Sequence, residues 1–395
     1  MILTNLQIWD GVADQLDPEF DGVEVKAGKI QRLVKSATVT DSAARDMGGL
    51  TVIPGLIDAH VHMCLDPDIK DPFEQDKFTD AELIKKIKAR AVQMLSCGIT
   101  TARDLGGGRW LELAVRDTIN QGELMATRLV CSGQPITSIQ GHCHFWGGEA
   151  ADLEEALSVM ARQIEHGVDL IKIMATGGNL TPGSTPRNAQ FDRQTIARIV
   201  SEAHSHNCLV AAHCHGTEGI ANAASAGVTT IEHCSWVGAD GWGQNYDPNA
   251  VLDMLANDVS VSPTINAGWK RYIGNRDFEA RIMGNFEKLR AAGVRLIAST
   301  DAGIPGVYHH HLPLAIPVFA HFAGLTAPQV LRGATSECAL AIGLGDQVGR
   351  IQAGYDADLV FYADDPLRDL GALATPVTVM ARGVFSDPAS INKCQ

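Results

Sequence analysis

The chain has 395 residues, 45% hydrophobic and 20% charged, an ordinary globular composition that excludes disorder, collagen and coiled coil as overall descriptions. Its net charge of -14 argues against general binding to nucleic acid or an anionic membrane, because phosphate contact needs a basic face. No run of 18 apolar residues occurs, so no transmembrane helix is expected.

The start, MILTNLQIWDG, has no basic segment and no long apolar stretch. It reads as a first strand and turn and not as a signal peptide. The runs LTNLQIW, GVEVKAGKIQRLV and MGGLTVI are short and apolar, separated by Gly and Asp turns. The C-terminal stretch from Gly349 repeats that character in GRIQAGYDADLVFY and TPVTVMARGVF. Neither end carries enough apolar surface for a core of its own. Residues 1–53 and 349–395 are therefore expected to form one small split β-sandwich domain, with 54–348 inserted between them.

The middle alternates between two patterns. Eight β-branched runs appear in order: TVIPGLIDAHVH, GITTARDL, RLVCSG, DLIKIMATG, CLVAAHCHG, TTIEHCSW, SVSPTI and VRLIAST. Between several of them lie segments with apolar residues at helical spacing, such as AELIKKIKARAVQMLSCG, LEEALSVMARQIEHG and RQTIARIVSEAHSHN. Eight such units predict an α/β fold, a distorted TIM (β/α)8 barrel. The competing architecture is a doubly wound open sheet, where ligands gather at one switch point. Here polar residues end five separated runs, and only a closed sheet brings all of those ends to one mouth.

Those polar residues carry the chemistry. His60 and His62 form H-x-H at the end of the first run, and alternate strand residues share a face. Lys172 lies inside the fourth run, where an unpaired charge is costly. His213 and His233 end the fifth and sixth runs, and Asp301 follows the eighth. Singly, each has an ordinary structural reading: a hydrogen-bonded histidine, a paired lysine, a helix N-cap. Together, imidazoles and a carboxylate at one mouth form a ligand set for zinc. An ammonium has no lone pair, but a neutral lysine amine that adds carbon dioxide becomes a carbamate able to bridge two metals.

At these residues the chain resembles the amidohydrolase superfamily, in particular its prolidase-like members (Xaa-Pro dipeptidase and imidazolonepropionase-like) with a carbamylated lysine. The matching stretches are PGLIDAHVH, TTARDLGGG, DLIKIMATGG, VAAHCHGTEGI, GVTTIEHCSW, STDAG and GRIQAGYDADLVFYADDPL. The resemblance implies two divalent metal ions, expected to be Zn. His60, His62 and Asp301 would hold the first, His213 and His233 the second, with a carbamate on Lys172 bridging both. The filled lysine position sets the site apart from single-metal branches of the superfamily. Where some similar peptidases carry a substrate-holding tyrosine two residues after the strand-five histidine, this chain has His215.

Other features surround that set. His142 and His144 follow the third run, and a histidine near here in similar enzymes contacts the substrate carbonyl. His309, His310 and His311 follow the eighth run, as a surface metal site or with one member reaching the mouth. GGGR at 106–109 lacks a phosphate-loop ending and reads as a tight turn. The segment NAGWKRYIGNRDFEAR after the seventh run offers Lys270 or Arg271 to a substrate carboxylate; its bland reading is a solvated helix start. Nine cysteines, odd in number and without a CxxC pair, argue against a disulfide framework and for a cytoplasmic location.

The activity expected is cleavage of an amide bond in a small dipeptide-like or N-acyl amino acid substrate. Asp301 would serve as proton shuttle, and His142, His215, Lys270 and Arg271 as substrate contacts. Lactone, cyclic amide and carbamate or urea hydrolysis on the same site are the alternatives, and a non-catalytic assembly protein of the same fold is the last. The partners expected are a small-molecule substrate and further copies of the chain, with no nucleic acid and no membrane.

Overall fold

The computed structural model describes residues 1–386 and residue 394. Among the described residues sixteen strands run β1 (Ile2–Ile8), β2 (Gly22–Lys26), β3 (Lys29–Val34), β4 (Arg45–Pro54), β5 (Leu56–Val61), β6 (Ile99–Asp104), β7 (Arg128–Cys131), β8 (Thr137–Ser138) and β9 (Glu149–Ala150). They continue as β10 (Leu170–Met174), β11 (Leu209–Gly216), β12 (Thr230–Val237), β13 (Ser260–Ser262), β14 (Leu359–Tyr362), β15 (Thr378–Ala381) and β16 (Val384–Phe385).

Two parallel ladders make the central barrel, β5-β6-β7 and β10-β11-β12-β13. Every residue of β5, β6 and β10 is buried, as parallel strands covered on both faces require. Single contacts close the two gaps. Between β7 and β10, Asp169 N–H donates to Cys131 O at 2.8 Å, and Ile136 pairs with Ile173. On the other side, residues 294–302 form the eighth stave without becoming a regular strand. Leu296 pairs with Val261, Ala302 pairs with Val61, and Ala59 N–H donates to Ala298 O. The buried Asp58 carboxylate takes the place of ladder bonds there, accepting from Thr300 N–H at 3.1 Å and Thr300 Oγ1 at 2.6 Å.

Helices return the chain between staves. Helix α1 (Asp80–Ser96) opens on a capping box between Thr79 and Glu82. Helix α2 (Leu111–Asn120) follows β6; α3 (Leu153–Glu165) and α4 (Arg193–Ser205) are capped by Asp152 and Asp192. Helices α5 (Thr217–Ala226), α6 (Pro248–Ala256), α7 (Arg276–Ala292) and α8 (Leu312–Ala323) continue the outer layer, and α9 (Ala327–Gly333) and α10 (Ser336–Ala341) follow. No single helix among the described residues is long and apolar enough to cross a membrane.

Both chain ends build one further sheet, in the order β16-β15-β14-β4-β1-β2-β3. Its two layers are a single sheet turned back on itself: Ile30 N–H donates to Tyr355 O and Gly354 N–H to Ile30 O, both at 2.8 Å. Leu3, Ile8, Val23, Ile30, Leu359 and Phe361 meet in its core. Arg128, at the foot of β7, ties this unit to the barrel through Asp356 at 2.6 Å. Cys97 and Cys394 form a disulfide, which departs from the expectation of reduced cysteines. Their separation of 297 residues leaves no local spacing signal. The other seven cysteines are free, and six of them are buried.

Candidate metal centre

Four strand ends and the eighth stave meet at the barrel mouth. β5 carries His60, with His62 just beyond it; β10 carries Lys172; β11 carries His213 and His215; β12 carries Glu232 and His233. His233 and Asp301 stand at φ of 67° and 62°, a left-handed conformation that bends the chain and turns each side chain toward the axis.

His60 Nε2, His62 Nε2 and Asp301 Oδ1 form a triangle with all three sides 3.3 Å. A tetrahedral cation with ligand bonds of about 2.0–2.1 Å separates its ligand atoms by about 3.3–3.4 Å. The triangle therefore fits one such cation. The remaining ring nitrogens are occupied: His60 Nδ1 faces Glu232 Oε2 at 2.9 Å and His62 Nδ1 faces Gly106 O at 3.1 Å. That leaves each Nε2 lone pair for a metal, the arrangement that orients ligating histidines. Gly106 thus does more than make the tight turn expected of GGGR.

A second donor group sits beside the first. Donor atoms of His213, His215 and His233 lie within 4.8 Å of one another. His213 Nε2 meets Gly177 O at 3.0 Å, so its free lone pair is on Nδ1. His233 Nδ1 meets Thr264 Oγ1 at 2.8 Å, and His215 Nδ1 meets Ser235 Oγ at 2.9 Å. The rings of His60 and His233 are 5.2 Å apart, which joins the two groups. His215, expected as a substrate contact, belongs by geometry to this cluster, its ring stacked on His233 at 4.4 Å.

Burial keeps His60, His213, His215 and His233 neutral. It pushes His60 down to about 4 and His215 down to about 4, with the Lys172 charge acting on both in the same direction. His213 and His233 are driven well below the usual range, again mainly by burial. Burial would raise Asp301 and Glu232, but hydrogen bonds and positive potential from their neighbours outweigh it. His60 and His62 hold Asp301 low, and Arg103 and His60 hold Glu232 low. Arg103 Nη2 lies 2.8 Å from Glu232 Oε1, and both side chains are buried.

Lys172 is 1% exposed and lines the same cavity, of about 460 Å³. Among the described residues its ammonium makes no ion pair or hydrogen bond, and burial lowers its pKa. An unpaired buried ammonium is costly, and a neutral amine in the cavity that both donor groups line has the chemistry to take up carbon dioxide.

The outer residues divide. His142 lines the cavity, its Nδ1 buried without a partner, and burial pushes it down to about 3. Its ring packs on Gly178, where a Cβ would collide with it. His144 stays outside, near Phe73 and Phe145. None of the triple histidines lines the cavity: His309 is buried with Nε2 on His62 O at 3.0 Å, while His310 and His311 lie tilted against Tyr308. Arg271 lines the cavity; Lys270 is exposed and does not. Sequence reasoning passed over Glu232, Arg103 and Trp242. A glutamate inside the apolar run TTIEHCSW was the available signal, since a buried carboxylate needs a partner.

A model of the amidohydrolase family matches residues 51–385. Ochratoxinase of Aspergillus niger is 25% identical over 361 residues, covering 83% of this chain and 73% of that protein. Imidazolonepropionase of Chloroflexus aggregans is 26% identical over 361 residues, covering 82% and 79%. In fold, the chain is similar to a Xaa-Pro dipeptidase solved with methionine in its active site, with a TM-score of 0.85, 24% identity, and coverage of 98% and 99%.

Proposed function

The chain belongs to the amidohydrolase family, and from that premise we propose that it is a binuclear metal-dependent hydrolase of small amides, namely dipeptides or N-acyl amino acids. The similarity to ochratoxinase and to imidazolonepropionase supports a hydrolytic reaction class. The observation that carries the binuclear reading is Lys172, buried, without an ion pair among the described residues, and lining one cavity with both donor groups. His60, His62 and Asp301 would hold one cation and His213 and His233 the other, with the Lys172 carbamate reaching both. Zinc suits the imidazole-rich set.

When bound, two divalent cations supply hydroxide at neutral pH and polarise the scissile carbonyl. The chain's own groups do the rest. Asp301, held as a carboxylate by its histidine neighbours, accepts the proton of the attacking water and passes it to the leaving nitrogen. His142, neutral and on the cavity wall, donates a hydrogen bond to the carbonyl oxygen as charge builds there. Arg271 receives a substrate carboxylate. Trp242 and Trp269 line the same cavity and limit water around the reacting bond.

The test is metal analysis of the purified protein together with turnover of a dipeptide and N-acyl amino acid panel beside lactones, cyclic amides and carbamates. Two metals per chain and preference for linear amides are expected. One metal, or faster lactone than amide turnover, would overturn the reading.

A further inference from the structure

Beside the candidate metal centre the mouth opens into a second cavity of about 570 Å³. Its walls are aromatic, with Trp242, Trp269, Tyr272, Phe278 and Phe286 among them. These rings hold one another in place. Trp269 lies edge-on to Tyr272 at 5.9 Å, and Tyr272 packs on Phe278 at 4.6 Å. The two cavities share His233, Trp242, Trp269 and Arg271. Trp242 also meets His215 edge-on at 4.9 Å. A molecule reacting at the metal centre therefore reaches the annex directly.

The annex is not only apolar. Arg271 and Arg281 line it, and no carboxylate does, in a chain with a net charge of -14. Among the described residues, Arg271 donates to the Tyr272 hydroxyl at 2.9 Å. Arg281 Nε and Trp236 Nε1 are buried with no hydrogen-bond partner among the described residues. Buried donors are almost always satisfied in folded proteins, and an unmade bond there is costly. Aromatic walls favour an aromatic guest in edge-to-face contact. Guanidinium groups favour a carboxylate, which they bind with paired hydrogen bonds.

We propose that the annex is the specificity pocket for an aromatic flank of the substrate that bears a carboxylate. The aryl body packs among the rings, and the anion meets Arg271 and Arg281. The substrate class is thus narrowed to amides with an aromatic, anionic portion. The reaction part of this rests on the hydrolase reading; the binding part does not.

The experiment is calorimetric titration of the full-length, metal-loaded protein with 2-naphthoate, against acetate and neutral 2-naphthamide. Naphthoate should bind at least about tenfold tighter than either, and should compete with amide substrates. The titration is repeated after chelation of the metals, where binding should persist. Arg281→Gln should bring naphthoate close to naphthamide, and Ile282→Phe, which narrows the annex, should bring naphthoate toward acetate. Thermal melts establish that both variants fold. Equal binding of naphthoate and acetate, loss of binding on chelation, or indifference to both variants overturns the proposal. Small-amide turnover without aromatic-anion binding sinks the annex alone. Annex binding without turnover of any amide supports the annex and sinks the hydrolase reading.

Discussion

His60 and Glu232 meet at the centre of the barrel, Nδ1 to Oε2 at 2.9 Å, although 172 residues separate them in the chain. Glu232 gives its other oxygen to Arg103 and to Thr230 Oγ1. One buried carboxylate therefore sets the ring orientation of His60 and neutralises a buried guanidinium.

Glu232→Gln should weaken both roles. Losing a partner that orients a ligating histidine costs about 10–100-fold in metal affinity. Leaving Arg103 buried without its counter-charge costs about 3–5 kcal/mol. Chelator competition should show the first effect and a thermal melt the second. Wild-type metal affinity in the variant would mean that His60 is not a ligand.

Lys172 should carry a carbamate when metal is bound. Burial already lowers its pKa, so its amine reacts with carbon dioxide more readily than an exposed lysine near pKa ~10.4. Protein loaded with zinc in 13C-labelled bicarbonate should show one labelled carbamate carbon by NMR, absent from Lys172→Ala. Bicarbonate should also speed reconstitution of activity. Full activity after rigorous removal of bicarbonate would exclude the bridge.

The barrel was legible because its staves are continuous apolar runs with a polar residue at the end, and burial on both faces demands that pattern. His60, His62, Lys172, His213, His233 and Asp301 all lie at the mouth for that reason. Other parts were not legible. The Cys97–Cys394 pair depends on where the last residues return. His309 turns inward and His310 does not, and one residue of rotation in a helical turn decides it. The same offset separates Lys270 from Arg271 in the turn Ala267–Tyr272.

That offset makes a prediction. Arg271 lines both cavities and Lys270 neither. Arg271→Ala should remove the preference for substrates with a free carboxylate over their amides, a change of at least about tenfold in kcat/KM. Lys270→Ala should leave that ratio as it is. A loss in the lysine variant instead would place the carboxylate on the other side of the turn.

Glu112 gives a test of pH dependence away from the ligands. It is 1% exposed, its Oε1 has no partner among the described residues, and burial raises its pKa above the ordinary 4.5. The folded state thus favours the protonated acid. Its contribution to stability is full below the unfolded pKa and is lost as the pH rises through the folded value. Glu112→Gln removes that loss. Its Tm relative to wild type should be higher at about pH 8 than at about pH 5, and a difference that does not change with pH would show that Glu112 ionises freely in the fold.

Asp301 is assigned two tasks, holding a cation and moving a proton, and one substitution separates them. Asn also tolerates the left-handed backbone that Asp301 adopts at φ 62°, so Asp301→Asn should fold. It keeps an oxygen at the triangle with His60 and His62, whose Nε2 atoms lie 3.3 Å from Asp301 Oδ1. Much of the metal should remain, as elemental analysis would report. An amide oxygen is a poor proton acceptor, so the leaving nitrogen no longer receives its proton from this position. General acid–base catalysis contributes about 10²–10⁴-fold, and kcat should fall by that much while metal content falls far less. The loss should be smaller on substrates with a good leaving group, such as anilides with electron-withdrawing rings, because those depart with less help. A variant that keeps metal and keeps near-normal kcat on ordinary amides would remove Asp301 from the proton path, and equal losses on good and poor leaving groups would confine its role to holding the cation.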